Sequence, residues 1–384
     1  MPSESSDTER CTEVSLDLSA LTLVDQHCHA VRLDELDLAA FEALCSESAM
    51  PAGNGSHLDG PAGFAIGRWC PPILDLDPFC SWDTYIARRG ELGAQEAARR
   101  LLTAANQSTL LIDTGYRGDE LCSLDEMAAL SGSPTREIVR IEVIAEEVAA
   151  SGVRAIEFMD AFEARLIERC ANAVGLKSVL AYRCGFYVDL LKVDDDGLDG
   201  AIGYWLANGG RLDDATIEAA VLRLAARIGG ERGLPIQFHV GYGDPDVVLH
   251  CSNPSLLTPF IEWCAPLGTQ IVLLHCWPFE REAGFLATVY PHVWMDIGLG
   301  MNYLGPSAPR FLSRALEATP FPKVLYSSDA FGLPELYFAG AAQFRWAMAQ
   351  VLDVWIAEGS VPASRAERIA TAIGSTNATV LYRL

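Results

Sequence analysis

Eight short, almost unbroken apolar runs recur along the chain, at residues 21–31, 109–117, 137–144, 174–179, 235–241, 270–277, 292–298 and 323–330. Most are rich in β-branched residues, which predicts strands. Between most of them lie segments whose apolar residues return every three or four positions with charges between, as at 91–105, 156–171, 214–228 and 308–318. That is the spacing of helices with one buried face. Runs that are apolar on both faces suit strands covered from both sides, the condition of a parallel sheet wrapped by helices. Eight repeats in the order β then α predict an α/β chain closed as a (β/α)8 TIM barrel.

The chain has 384 residues, whereas such a barrel needs about 250. Two connections absorb the excess, one at 32–80 after the first strand and one at 184–234 after the fourth. The first includes a stretch heavy in Gly and Pro at 50–72; the second includes the acidic segment 194–199 and the Gly-Gly pair at 209–210. Both follow strands, and in this architecture the connections leaving strand ends build the active site, so both insertions are expected to shape a pocket. No repeat beyond the β/α alternation and no linker divides residues 1–384, which read as one barrel. Residues 360–384 read as a final helix or two.

Composition narrows the function classes. With 50% hydrophobic and 21% charged residues, a disordered chain is excluded. A net charge of −23 repels phosphate backbones and anionic membrane surfaces, so no nucleic acid or membrane partner is expected. The first twenty residues lack the apolar stretch of a secretory signal, and no run approaches the roughly 18 apolar residues of a membrane helix. The eleven cysteines are scattered without a CxxC pair, which fits thiols in a reducing cytoplasm. A homodimer is the base-rate expectation for oligomeric state.

Chemistry concentrates at the ends of the runs. In Leu23-Val24-Asp25-Gln26-His27-Cys28-His29, strand alternation puts His27 and His29 on one face, where both can reach one ion. His239 and His275 sit at comparable depth in the fifth and sixth runs, and Asp329 closes Val324-Leu325-Tyr326-Ser327-Ser328-Asp329 in the eighth. Of seven histidines in the chain, four thus fall at the ends of apolar strands. As structural residues each would need its own buried hydrogen-bond partner; as metal ligands all four are accounted for together.

Lys177 lies at similar depth in the fourth run. A lysine pointing into a barrel is costly unless it is paired or neutralised. It reads either as a salt-bridged residue or as a neutral amine beside a dication, able to take up CO₂ as a carbamate and bridge two ions. Arg140 and Glu142 share one face of the third run and read as an internal ion pair or as support for the centre. His250 and His292 read as structural or exposed, and His57, in the first insertion, as exposed or as a lid contact.

The set His27-x-His29, Lys177, His239, His275 and Asp329 resembles the amidohydrolase superfamily of metal-dependent hydrolases, with order and strand assignment matching from Val24 to Asp329. The segments 175–183, 238–244 and 377–382 are similar to one branch of it, related to the domain fused to glutamine-synthetase-like domains in plant and fungal proteins. The resemblance implies that His27, His29 and Asp329 hold one divalent ion and His239 and His275 a second, with carbamylated Lys177 bridging. Zinc is the first expectation, manganese or iron the alternatives, at one or two ions per chain. It further implies a metal-activated water attacking an amide C–N bond, with Asp329 shuttling the proton.

Arg117 and Arg183 stand where loops face the pocket, and guanidinium forks suit carboxylates. Tyr116, Tyr242, Asp244 and Trp277 occupy similar positions, and Asp244 suits a substrate ammonium. Together these point to a small amino-acid-like substrate, a γ-glutamyl amide among them. Related barrels support two rival readings, a nonoxidative decarboxylase and a non-catalytic metal-binding barrel. The lysine argues against the first and the intact ligand set against the second.

Overall fold

The computed structural model describes residues 16–192 and 195–384; the readings of residues 1–15 and of 194 in the acidic segment lie outside them. All eight apolar runs contain strands: β1 (Leu23–Cys28), β2 (Gln107–Asp113), β3 (Thr135–Arg140), β4 (Gly175–Ser178), β5 (Ile236–Val240), β6 (Ile271–His275), β7 (Val293–Asp296) and β8 (Val324–Leu325). Each pairs in parallel with the next in sequence. Backbone bonds then carry the ring from β8 back to β1: Gln26 N–H donates to Tyr326 O (3.3 Å), Asp329 N–H to His27 O (3.0 Å) and His29 N–H to Ala330 O (2.8 Å). The expected (β/α)8 barrel is the fold.

Every residue of β1, β4, β5 and β6 is buried, as strands enclosed on both faces must be. The covering helices follow their sequence signals. Helix Ala215–Arg232 starts at Asp214, whose carboxylate accepts from the N–H groups of Thr216 and Ile217, and stops at Gly233 with φ +67°, an N-cap and a left-handed C-terminal glycine. Apolar packing forms two clusters. The larger joins strands to helices. In the smaller, Val24, Leu111, Ile138, Val272, Leu274 and Leu325 meet Ala378, Leu381 and Tyr382 of the last helix, Asn377–Tyr382. Gly175, at the start of β4, leaves the space that the Tyr382 ring fills, so this helix closes the barrel at the N-terminal ends of its strands.

The opposite ends carry the insertions. Between β1 and β2 stand helices Leu38–Leu44, Pro61–Trp69, Trp82–Leu92 and Ala94–Ala105; between β4 and β5 stand Leu180–Arg183, Asp195–Asn208 and Ala215–Arg232. Among the described residues, no helix is long and apolar enough to cross a membrane.

One element departs from expectation. β3 stops at Arg140 and helix Ile141–Ala150 begins at once, so Arg140 and Glu142 are not on one strand face. Arg140 pairs with Asp113 at 2.6 Å, while Glu142 accepts from the Ser178 hydroxyl (2.7 Å) and the Val179 N–H (2.8 Å). The β-branched residues Ile141, Val143 and Ile144 mimic a strand, and tertiary packing overrides that local preference.

Candidate metal centre

The first two histidines owe their placement to an irregular strand. The register of β1 against β2 shifts between Asp25 and Cys28, and the consecutive residues Gln26 and His27 both meet Gln237. His27 Nδ1 lies 2.9 Å from Gln237 Oε1, and its Nε2 lies 3.0 Å from Asp329 Oδ1. His29 repeats the arrangement, with Nδ1 3.0 Å from the backbone oxygen of Asp113 and Nε2 3.8 Å from the same Asp329 oxygen. Donation of Nδ1–H to a carbonyl fixes the tautomer and leaves the Nε2 lone pair directed at Asp329.

His275 and Asp329 sit on strained backbone, with φ of +68° and +50°. A side chain held in the left-handed region costs about 1–3 kcal/mol. Two bonds hold these turns in place: Asp329 N–H to His27 O, and His275 N–H to Asp296 Oδ1 at 2.5 Å. His275 Nε2 comes to 3.5 Å from Asp329 Oδ2, yet among the described residues neither of its ring nitrogens has a hydrogen-bond partner. The His239 ring centroid lies 4.6 Å from that of His275. Its Nδ1 meets the Tyr182 hydroxyl at 3.2 Å, and its Nε2 is also unpartnered. A side chain on Gly243 would collide with both Tyr182 and His239, so the turn after β5 needs glycine there to approach the ring.

Burial governs the protonation of this cluster. It pulls His27 down to about 3 and His29 to about 4, and takes His239 and His275 well below the usual imidazole range. All four rings are therefore neutral at pH 7, and the contacts of His27, His29 and His275 with Asp329 are not ion pairs. Burial raises Asp329 to about 6, against the pull of Lys177. It lowers Lys177 to about 8, opposed by Asp329 and Asp113. Asp113 stays ionised despite its burial because the Arg140 guanidinium lies against it.

Neutral buried imidazoles with unspent nitrogens around a carboxylate form the donor set of a divalent transition ion. The ligand atoms of His27, His275 and Asp329 lie within 4.8 Å of one another, as do those of His27, His29 and Asp113. The first group suits an ion better. In the second, Asp113 already spends Oδ2 on Arg140 and Oδ1 on the Gly115 N–H, whereas His275 is wholly unspent.

A cavity of about 580 Å³ opens over these residues. His27, His29, Lys177, His239, His275 and Asp329 all face it, as do Tyr116, Arg117, Arg183 and Asp244. Tyr242 and Trp277 are not in its wall; their rings pack on each other, and Tyr242 packs behind the wall residue Tyr303. Arg183 is bound to Glu146 and Arg117 to Glu120. His57 bonds to Met50 O and His292 to Ile261 O, both away from the cavity. Sequence reasoning misses Glu47, Tyr182, Tyr303 and Gln237. The β/α pattern carried no signal for the first three, which reach the cavity from connections; Gln237 was readable, two residues before His239 and hence on its face.

Comparison with known proteins agrees with this picture. Protein fluG of Emericella nidulans is 27% identical over 400 residues, an alignment covering 94% of this chain and 46% of the relative. The chain thus spans about half the length of the curated relative it matches. A Lactobacillus casei protein, provisionally assigned as a metal-dependent hydrolase, superposes with a TM-score of 0.86 at 27% identity over 96% of this chain and 98% of its own. A uronate isomerase from Bacillus halodurans shares the fold, with a TM-score of 0.62 at 12% identity over 95% and 94% of the two chains. The amidohydrolase family model matches residues 142–384, which carry Lys177, His239, His275 and Asp329; this chain belongs to the amidohydrolase family.

Proposed function

We propose that this protein hydrolyses a C–N bond of a small amide, with water adding its hydroxyl to the carbonyl carbon and its proton to the departing nitrogen. The observation that carries the reading is the buried, unspent nitrogen of His275 beside Asp329, in a cluster of neutral imidazoles that faces a cavity. Bound there, a divalent ion supplies polarisation of the scissile carbonyl and lowers the pKa of water from about 15.7 to about 7 in the case of zinc. His27, His29 and Asp329 would hold one ion and His239 and His275 a second, with Lys177 as a carbamate between them.

The chain's own groups do the rest. Asp329 is the proton carrier, taking the proton from the attacking water on Oδ2 and passing it to the leaving nitrogen. Gln237 and the Asp113 carbonyl hold the tautomers of His27 and His29, and Tyr182 orients His239. The cavity volume admits a small molecule and is of the size ligand sites use. γ-Glutamyl amides are the first substrates to try, followed by N-acyl amino acids and lactones.

The test pairs metal analysis with turnover. Protein purified without chelator should carry close to two zinc, manganese or iron ions per chain, and Lys177→Ala should lose about one of them. A single ion, unchanged in that variant, would remove the bridging role. Release of amine from amides supports the hydrolase; release of CO₂ from carboxylated rings, with amides untouched, would replace it with a nonoxidative decarboxylase.

A further inference from the structure

The charged side chains of the cavity wall divide into those already paired and those left over. Its four arginines each hold an acid: Arg140 with Asp113 at 2.6 Å, Arg183 with Glu146 at 3.2 Å, Arg117 with Glu120 at 2.6 Å, and Arg211 with Asp246. Glu47 and Asp244 line the same cavity, and neither makes an ion pair among the described residues. Glu47 shares the cavity wall with Tyr303, and the charged groups that act on it are the carboxylates of Asp329 and Asp244. Asp244 accepts the Asp246 N–H at 2.9 Å and feels Arg211 and Arg140 only at longer range.

A second observation shows that this cavity is built for a ligand. His275, at both ring nitrogens, and His239, at Nε2, are 1% and 3% exposed and line it without hydrogen-bond partners among the described residues. The wall that carries Glu47 and Asp244 is aromatic as well, with Tyr116, Tyr182 and Tyr303 in it. Two partly buried carboxylates without a counterion disfavour each other's charged form. A cation between them relieves that cost, and flanking aromatic rings favour it further.

We propose that Glu47 and Asp244, with Tyr116 and Tyr303 beside them, select a substrate bearing a cationic nitrogen, an ammonium or guanidinium group, at the end away from the scissile bond. The inference rests on the hydrolase reading above and names its substrate class. It moves electrostatic selection away from Arg117 and Arg183, whose charges are already met.

The test uses the full-length, metal-loaded protein and two readouts. Calorimetry compares 1,4-diaminobutane, a dication, with neutral 1,4-butanediol and anionic glutarate. Hydrolysis compares N-acetyl-1,4-diaminobutane with N-butylacetamide, which differ in a terminal ammonium. The cationic member of each set should be favoured about tenfold or more, as loss of a charge-assisted hydrogen bond implies. In the double variant Glu47→Gln/Asp244→Asn both preferences should vanish, with metal content and thermal midpoint unchanged; the two single variants give smaller steps of the same sign if the double variant does not fold. Tighter binding of glutarate, or diaminobutane binding indifferent to the double variant, overturns the proposal. Amides cleaved without preference for the cation sink it while the hydrolase stands. Amine binding that depends on both acids, with no amide cleaved, sinks the hydrolase and leaves the cation site.

Discussion

Two buried polar clusters lie one above the other in this barrel, and they differ in whether their atoms are satisfied. In the lower one, Gln26 Nε2 donates to Asp296 Oδ2 at 2.6 Å, Gln237 Nε2 donates to Gln26 Oε1 at 3.0 Å, and the Tyr382 hydroxyl donates to Gln26 Oε1 at 2.6 Å. Asp296 also takes the N–H groups of His275 and Gly298. In the upper one, both nitrogens of His275 and Nε2 of His239 have no partner among the described residues. An unmet buried polar atom costs about 1–3 kcal/mol, so a fold that saturates one cluster and leaves the next one open holds the second ready for a ligand. The lower cluster is frame; the upper one is the candidate metal centre.

The sharpest test of the division is Asp329, which sits wholly in the upper cluster. Asp329→Asn keeps the shape of the side chain and removes the carboxylate proposed to carry the proton. Turnover should fall by about 10²–10⁴-fold, with most of the metal kept and the thermal midpoint little changed. A variant retaining parental activity would sink the shuttle role, and loss of all metal would show that Asp329 acts first as a ligand.

The sequence exposes these two clusters unequally. The strands were legible because enclosure on both faces demands long apolar runs. The candidate ligand set was legible because a polar imidazole ending a buried strand is costly unless something takes its lone pair, and three of the four such rings converge on Asp329. The register shift that turns both Gln26 and His27 toward Gln237 was not, since a bulge leaves the residue pattern of a strand intact. Glu142 was misplaced because Ile141, Val143 and Ile144 are strand formers used in a helix. Glu47, in the connection between β1 and β2, and Tyr303, in helix Gly298–Tyr303 after β7, come together only through the fold, and no local spacing announces them.

Gln237 belongs to both clusters, so it tests where one ends. Its Oε1 takes the His27 Nδ1–H and its Nε2 ties Gln26 to Tyr382. Gln237→Leu should weaken metal binding by about 10–100-fold, the effect of losing a partner that orients a ligand, and should also lower the thermal midpoint. Gln237→Glu retains an acceptor for His27 and should restore metal affinity better than stability. Competition with a graded chelator reads the first and calorimetry the second. If both variants lost stability alone, His27 would need no help from below.

The smallest effect belongs to Tyr382→Phe, confined to the lower cluster. The hydroxyl donates to Gln26 Oε1 and accepts from Gln237 Nε2 at 2.9 Å. Both partners keep other bonds, since Gln237 Nε2 still reaches Gln26 O at 2.8 Å and Gln26 Oε1 at 3.0 Å. The loss should therefore stay near the lower end of the range for a buried hydrogen bond, about 1 kcal/mol, with a drop in thermal midpoint of roughly 1–3 °C for a chain longer than the domains from which the scaling comes. Metal content and turnover should not move, because no ligand nitrogen depends on this hydroxyl. Were metal affinity to fall as far as in Gln237→Leu, the aromatic plug would be steering His27 through Gln237, and frame and function would be one cooperative network.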